Sequence, residues 1–155
     1  MSSTSSRPAN PQLEEAKKMF GSLVIGKQVA LVAGVVGFVM SFFSWLSVGA
    51  GSYSSSTNGW HDVGIAAVVF FIVSVAVVVL PLVGMSVRSF LPGPAAAASD
   101  TLILFIAGLV STLSVLGVLT QALGSSGIST SFGGWVALIA SICILVGSYM
   151  TGETN

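Results

Sequence analysis

Long stretches without a charged side chain alternate with short polar segments along this chain. Between Lys27 and Asp62 lie 34 uncharged residues, between Asp62 and Arg88 lie 25, and between Asp100 and Glu153 lie 52. As a helix, roughly 20 apolar residues cross the about 30 Å of hydrocarbon in a bilayer. The first two stretches each hold one span, and the third has room for two spans and a turn. The pattern predicts an all-α integral membrane fold with four transmembrane helices in two hairpins. The spans fall at 29–48, 63–83, 101–121 and 132–150, within a membrane domain over 29–150. Valine dominates 63–83 and normally favours strands. Period-two alternation is absent there, and in lipid the backbone must satisfy its own hydrogen bonds, so a helix is expected. Pro81 should kink or end it.

The segments around the spans are polar. Residues 1–10 are serine-rich and read as a disordered cytoplasmic tail. Asn10 and Pro11 form an N-cap and first-turn proline. Leu13, Ala16, Phe20 and Leu23 recur at helical spacing, which predicts a short amphipathic helix over 11–28 at the membrane surface. Residues 49–62 read as a polar loop, 124–131 as a second, and 151–155 as a short cytoplasmic tail. Pro92-Gly93-Pro94 breaks the chain, and Ser99 or Asp100 caps the third span. Val48-Gly49-Ala50 resembles a signal-peptide cleavage site. The apolar run before it, however, is about 20 residues against 7 to 15 for a signal peptide, so a retained helix is expected.

Composition sharpens this picture. Hydrophobic residues make up 54% of the chain and charged ones 6%, where a soluble domain carries about 25% charged. Five basic and five acidic residues cancel, so no net field draws nucleic acid. Arg7, Lys17, Lys18, Lys27 and Arg88 fall on one side of a four-span topology. The positive-inside rule then puts that side, with both termini, in the cytoplasm of a cell whose plasma membrane the chain crosses.

Candidate chemistry is sparse. His61-Asp62 is the one cluster, and it lacks the further ligands a zinc site needs. Cys143 is alone in an apolar run and reads as filler. No Gly-x-Ser-x-Gly elbow and no phosphate-binding glycine loop occurs. No ionisable residue lies in mid-span, which argues against energy-coupled transport. No metal, cofactor or enzymatic activity is expected. Trp45, Trp60, His61, Asp62 and Trp135 are read as the outer interface, where tryptophan gathers.

Packing positions are better marked. Ala33, Gly37 and Ser41 share a face of span 1, with Ala30 and Gly34 beside it. Ala107 and Ser111 do so in span 3, and Ala137 and Ser141 in span 4. Small residues four apart let helices approach closely, and Gly37 is expected to be the least replaceable residue of span 1.

The outer loops share a pattern 75 residues apart, Ser-Ser-Ser-Thr-Asn-Gly-Trp ending at Trp60 and Ser-Thr-Ser-Phe-Gly-Gly-Trp ending at Trp135. A tandem duplication of a two-helix unit would produce this, but the preceding helices do not align at that offset. Four spans with a tryptophan-bearing first outer loop are similar to claudin-like tetraspan proteins. Those carry a Gly-Leu-Trp element and two loop cysteines, and this loop has neither. The chain as a whole resembles small bacterial membrane proteins.

The expectation is a structural or accessory subunit, packing with itself or with a larger membrane complex. Its partners would be membrane lipid and a membrane protein or further copies of the chain, with no nucleic acid and no soluble substrate. An oligomeric pore or holin-like channel is the alternative, and a cofactor-binding subunit using His61 is a minor one.

Overall fold

A computed structural model of the chain describes residues 11–50, 53–61, 63–90, 92–93 and 97–152. The tail 1–10, the cap at Asn10, Asp62 and residues 153–155 lie outside them. Among the described residues five α-helices form: α1 (Pro11–Gly21), α2 (Ile25–Met40), α3 (Gly64–Leu82), α4 (Asp100–Gly124) and α5 (Phe132–Gly152). Three strands accompany them, β1 (Ser44–Ala50), β2 (Tyr53–Asn58) and β3 (Ile128–Thr130).

Helices α2 to α5 make one bundle, in which α2 packs on α3 and α5, and α4 packs on the same two. Their inward faces are built of small residues and a few large ones. Phe71, Leu104 and Ile144 are fully buried, beside Ala30, Ala67, Ala107 and Ala137. The outward faces carry Val32, Val35, Leu113, Ile139 and Val146, all exposed. A belt of exposed aliphatic side chains over this length would aggregate in water and is at home in hydrocarbon. Helices α3, α4 and α5 are long and apolar enough to cross a membrane. Their 19, 25 and 21 residues give about 28, 37 and 31 Å at 1.5 Å per residue.

The first span differs from expectation. It was expected at 29–48, but α2 starts at Ile25 and stops at Met40. Ser41 closes it with its own hydroxyl, Oγ donating to the Phe38 carbonyl at 2.6 Å. The expected surface helix is correspondingly shorter and ends at Gly21. Gln28 holds the bend between α1 and α2, its Nε2 donating to the carbonyls of Phe20 and Leu23 at 3.0 Å each. No residue of α1 is buried.

The fold is also not all-helical. The polar loop expected at 49–62 is half of a small antiparallel sheet of order β2-β1-β3. Strand β1 pairs with β2 from Ser44↔Asn58 to Ala50↔Tyr53, and with β3 through Leu46↔Thr130 and Val48↔Ile128. Both loops at this end therefore join one sheet. The other breaks follow expectation. Pro81 occupies the last turn of α3, and the Ser99 hydroxyl caps α4 by accepting from Leu102 N at 3.2 Å.

Candidate functional site

The two ends of the bundle are chemically different. At one end α2 and α4 begin, and at the other they finish under the sheet. Among the described residues every Lys, Arg, Asp and Glu lies in α1, in the first turns of α2 and α4, or in the 3₁₀ turn Val87–Phe90 after α3. The chain brings three of them together. Lys27 Nζ lies 3.1 Å from Asp100 Oδ2, and Arg88 Nη2 lies 3.5 Å from Asp100 Oδ1. A cleft of about 330 Å³ opens at this triad, bounded also by Ser99 and Thr101.

At the sheet end Trp45 is the central side chain. It was expected at the outer interface, closing the first span. It sits instead in β1 with no exposed surface. The register of β1 on β2 slips between Ser44 and Leu46, which makes Trp45 the extra residue of a β-bulge. In a regular strand neighbouring side chains face opposite ways. The bulge re-aims one of them, so Trp45 and Leu46 are both buried. Trp45 Nε1 donates to the Met40 carbonyl at 2.9 Å, a second donor beside Phe43 N, which reaches the same oxygen at 3.1 Å. Its own carbonyl accepts from Ser131 N at 2.8 Å. Strands β1 and β3 are tied further by a hydrogen bond between the Ser47 and Ser131 hydroxyls.

This accounts for the pattern shared by the two loops. A Cβ on Gly59 would stand 2.7 Å from Trp45 Cζ2, and one on Gly133 would stand 3.2 Å from Trp45 Cδ1. A Cβ on Gly134 would meet the Trp45 carbonyl at 3.1 Å. Gly59 and Gly133 thus leave room for the same indole from two sides, and Gly134 leaves room for its backbone. The two following tryptophans are exposed. Trp60 joins Phe38 and Phe42 in an aromatic group, with Phe42 and Trp60 centroids 5.5 Å apart. Trp135 Nε1 donates to Thr130 Oγ1 at 3.0 Å.

The remaining candidates are placed as follows. His61 is exposed, and its Nδ1 lies 3.0 Å from Asn58 Oδ1, the same oxygen that accepts from Trp60 N. It belongs to the turn that leads into α3. Asp62 lies outside the described residues, and among those described no group of three His, Cys, Asp or Glu could hold a metal. Ala33, Gly37, Ser41, Ala107, Ser111, Ala137 and Ser141 are all buried inside the bundle. Gly37 faces the ring of Phe71, and Ser141 bonds back to the Leu138 carbonyl at 2.8 Å.

Searches of family models and of curated proteins find no match to this chain. The functional reading therefore rests on the geometry of the two ends.

Sequence reasoning missed the sheet and the role of Trp45. The signal available was Trp45, Val48, Tyr53 and Thr57 within 44–58, residue types that suit strands. The bulge removed the alternation that would have made it plain.

Proposed function

We propose that the chain is a structural or accessory subunit of a plasma-membrane assembly, crossing the bilayer four times with its charged end in the cytoplasm. The fourth crossing is α2. Its 16 residues span about 24 Å, short of the hydrocarbon thickness. Residues 41–44 extend it along α5, however. A Cβ on Gly147, near the end of α5, would touch the Gly26 carbonyl, and one on Gly133, at its start, would touch the Ser44 carbonyl. Helix α2 and its extension thus run most of the length of α5, which itself suffices to span. Orientation follows from Lys17, Lys18, Lys27 and Arg88, all at one end.

The observation that carries the subunit reading is the sheet. Among the described residues, strands β2 and β3 each have a strand neighbour on one side only. Such edges offer backbone groups to a further strand, and Ser54, Ser55 and Ser56 keep the β2 side polar and exposed. The bundle beneath offers little else. Its interior is filled by Phe71, Leu104 and Ile144, which leaves a pore within one chain without a path.

Single cysteines in a Cys143→Ser background test both parts. In intact cells, cysteines at Ser55 and Ser126 should react with an impermeant maleimide, and those at Ser22 and Ser89 only after permeabilisation. Protection of Ser55 together with Ser22 would mean that α2 does not cross. In the same membranes, the cysteine at Ser55 should cross-link into one discrete product above monomer mass. Absence of any product from Ser55 or Ser129, with ion conductance in reconstituted vesicles, would favour the pore instead.

A further inference from the structure

We propose that the cleft at the charged end binds the headgroup of an anionic phospholipid from the cytoplasmic leaflet, with an acyl chain in the groove between α4 and α5. The inference rests on the bilayer placement argued above, and it adds a ligand site to it.

Charge is the first argument. Among the described residues Lys27 and Arg88 share a single carboxylate, Asp100, so these three side chains together carry one net positive charge. That carboxylate does not use up the donors of either cation. Lys27 Nζ has three N–H donors and Arg88 five, and each makes one side-chain contact, at 3.1 and 3.5 Å. The second distance is long for a hydrogen bond. Lys27 is largely shielded, its side chain 23% exposed, so its charge is screened less than one on an open surface. A planar guanidinium with free N–H groups at a partly shielded cleft matches the oxygens of a phosphodiester. The cleft also adjoins the N-terminus of α4, whose dipole favours an anion.

Shape is the second argument. Ser99 and Thr101 line the charged cleft and also a second hollow of about 470 Å³, which continues along Leu102, Phe105 and Tyr149. The second hollow is mainly apolar and lies on the outer surface between α4 and α5. A polar site that opens directly onto an apolar groove, at the level where apolar helices meet charged residues, has the two-part form of a phospholipid. A free phosphate would use only the first part. Basic clefts between membrane helices on the cytoplasmic side are suited to anionic headgroups in general.

Asp100 supplies the discriminating test, because it competes with the lipid phosphate for both cations. The full chain, purified in a mild detergent, is titrated with phosphatidylglycerol or phosphatidylcholine in mixed micelles, and binding is read by native mass spectrometry. Phosphatidylglycerol should bind about 25-fold more tightly than phosphatidylcholine, a factor of about five for each of two basic side chains at an anionic headgroup. K27Q and R88Q should each lose about fivefold of the affinity for phosphatidylglycerol, and D100N should gain affinity. F105S should weaken lipid binding and leave the charged cleft intact. A merely structural ion bridge predicts the opposite for D100N, with loss of thermal stability and no gain of lipid, and that result overturns the proposal. Displacement of the lipid by millimolar inorganic phosphate, with no effect of F105S, would show a free-anion site and also overturn it. Equal binding of the two lipids overturns the lipid site while leaving the membrane reading in place. A chain that stays soluble without detergent would overturn both.

Discussion

Trp45→Ala should detach the outer sheet from the bundle, at a cost of about 3–5 kcal/mol, the range for truncating a fully buried aromatic. The indole has no exposed surface and fills the space left by two glycines, Gly59 before α3 and Gly133 at the start of α5. Its removal opens a cavity that backbone on both sides would have to collapse into. It also removes one of two hydrogen bonds to the Met40 carbonyl, the one from Phe43 N remaining. Trp45→Phe separates the two effects. It keeps most of the ring and loses one hydrogen bond, so it should cost about 0.5–1.5 kcal/mol. Trp135→Ala is the control, since that ring is half-exposed and bonds only Thr130; its effect should stay near 1 kcal/mol. Unfolding by denaturing detergent, followed by circular dichroism, gives the ranking. Cysteines on β1 and β3 should also become more reactive in Trp45→Ala. If Trp45→Ala proves no worse than Trp135→Ala, the indole does not hold the sheet to the helices.

Much of the helical part was legible because hydrophobic runs of membrane length admit few alternatives. Helices α3, α4 and α5 lie within about three residues of the expected spans, bounded by Pro81, the Ser99 cap and the glycine-rich turn before Phe132. The first span was misplaced because apolarity does not distinguish a helix from a buried strand over a short run. Ser44-Trp45-Leu46-Ser47-Val48 is apolar enough to extend a span, and only its pairing with β2 and β3 makes it a strand. The serine-rich loop gave no alternating pattern, because strand β2 has no apolar face to bury. The triad of Lys27, Arg88 and Asp100 was invisible for another reason. Lys27 and Asp100 are 73 positions apart, and only the closure of the bundle brings them within bonding distance. The small residues within spans were easier to find, because spacing by four marks a shared helix face.

The glycines that matter most to the bundle lie where α2 and α5 cross. Gly26→Val and Gly147→Val should each destabilise the protein by about 1–3 kcal/mol or more, the overpacking range. Helices α2 and α5 cross here backbone to backbone. A Cβ on Gly147 would lie 2.6 Å from the Gly26 carbonyl oxygen and 3.1 Å from Ala30 N, and one on Gly26 would lie 2.7 Å from Thr151 N. Backbone cannot swing aside as a flexible side chain can, so the helices must separate. In lipid, separation loses dispersion contact with no compensating hydrophobic gain. Gly26 therefore outranks Gly37, the residue first expected to be least replaceable in this span, since a Cβ on Gly37 meets the side-chain ring of Phe71 rather than backbone. The spacing argument passed over Gly26 because it lies before Val29, outside the expected span. Gly21→Ala and Gly124→Ala are controls with nothing within 4 Å of the added carbon, and alanine should be neutral or stabilising by up to about 1 kcal/mol in those helix ends. Unfolding in denaturing detergent ranks the four variants. Should Gly147→Val match Gly124→Ala, α2 and α5 do not meet at this crossing, and the case for α2 as a membrane-spanning helix loses the contact on which it depends.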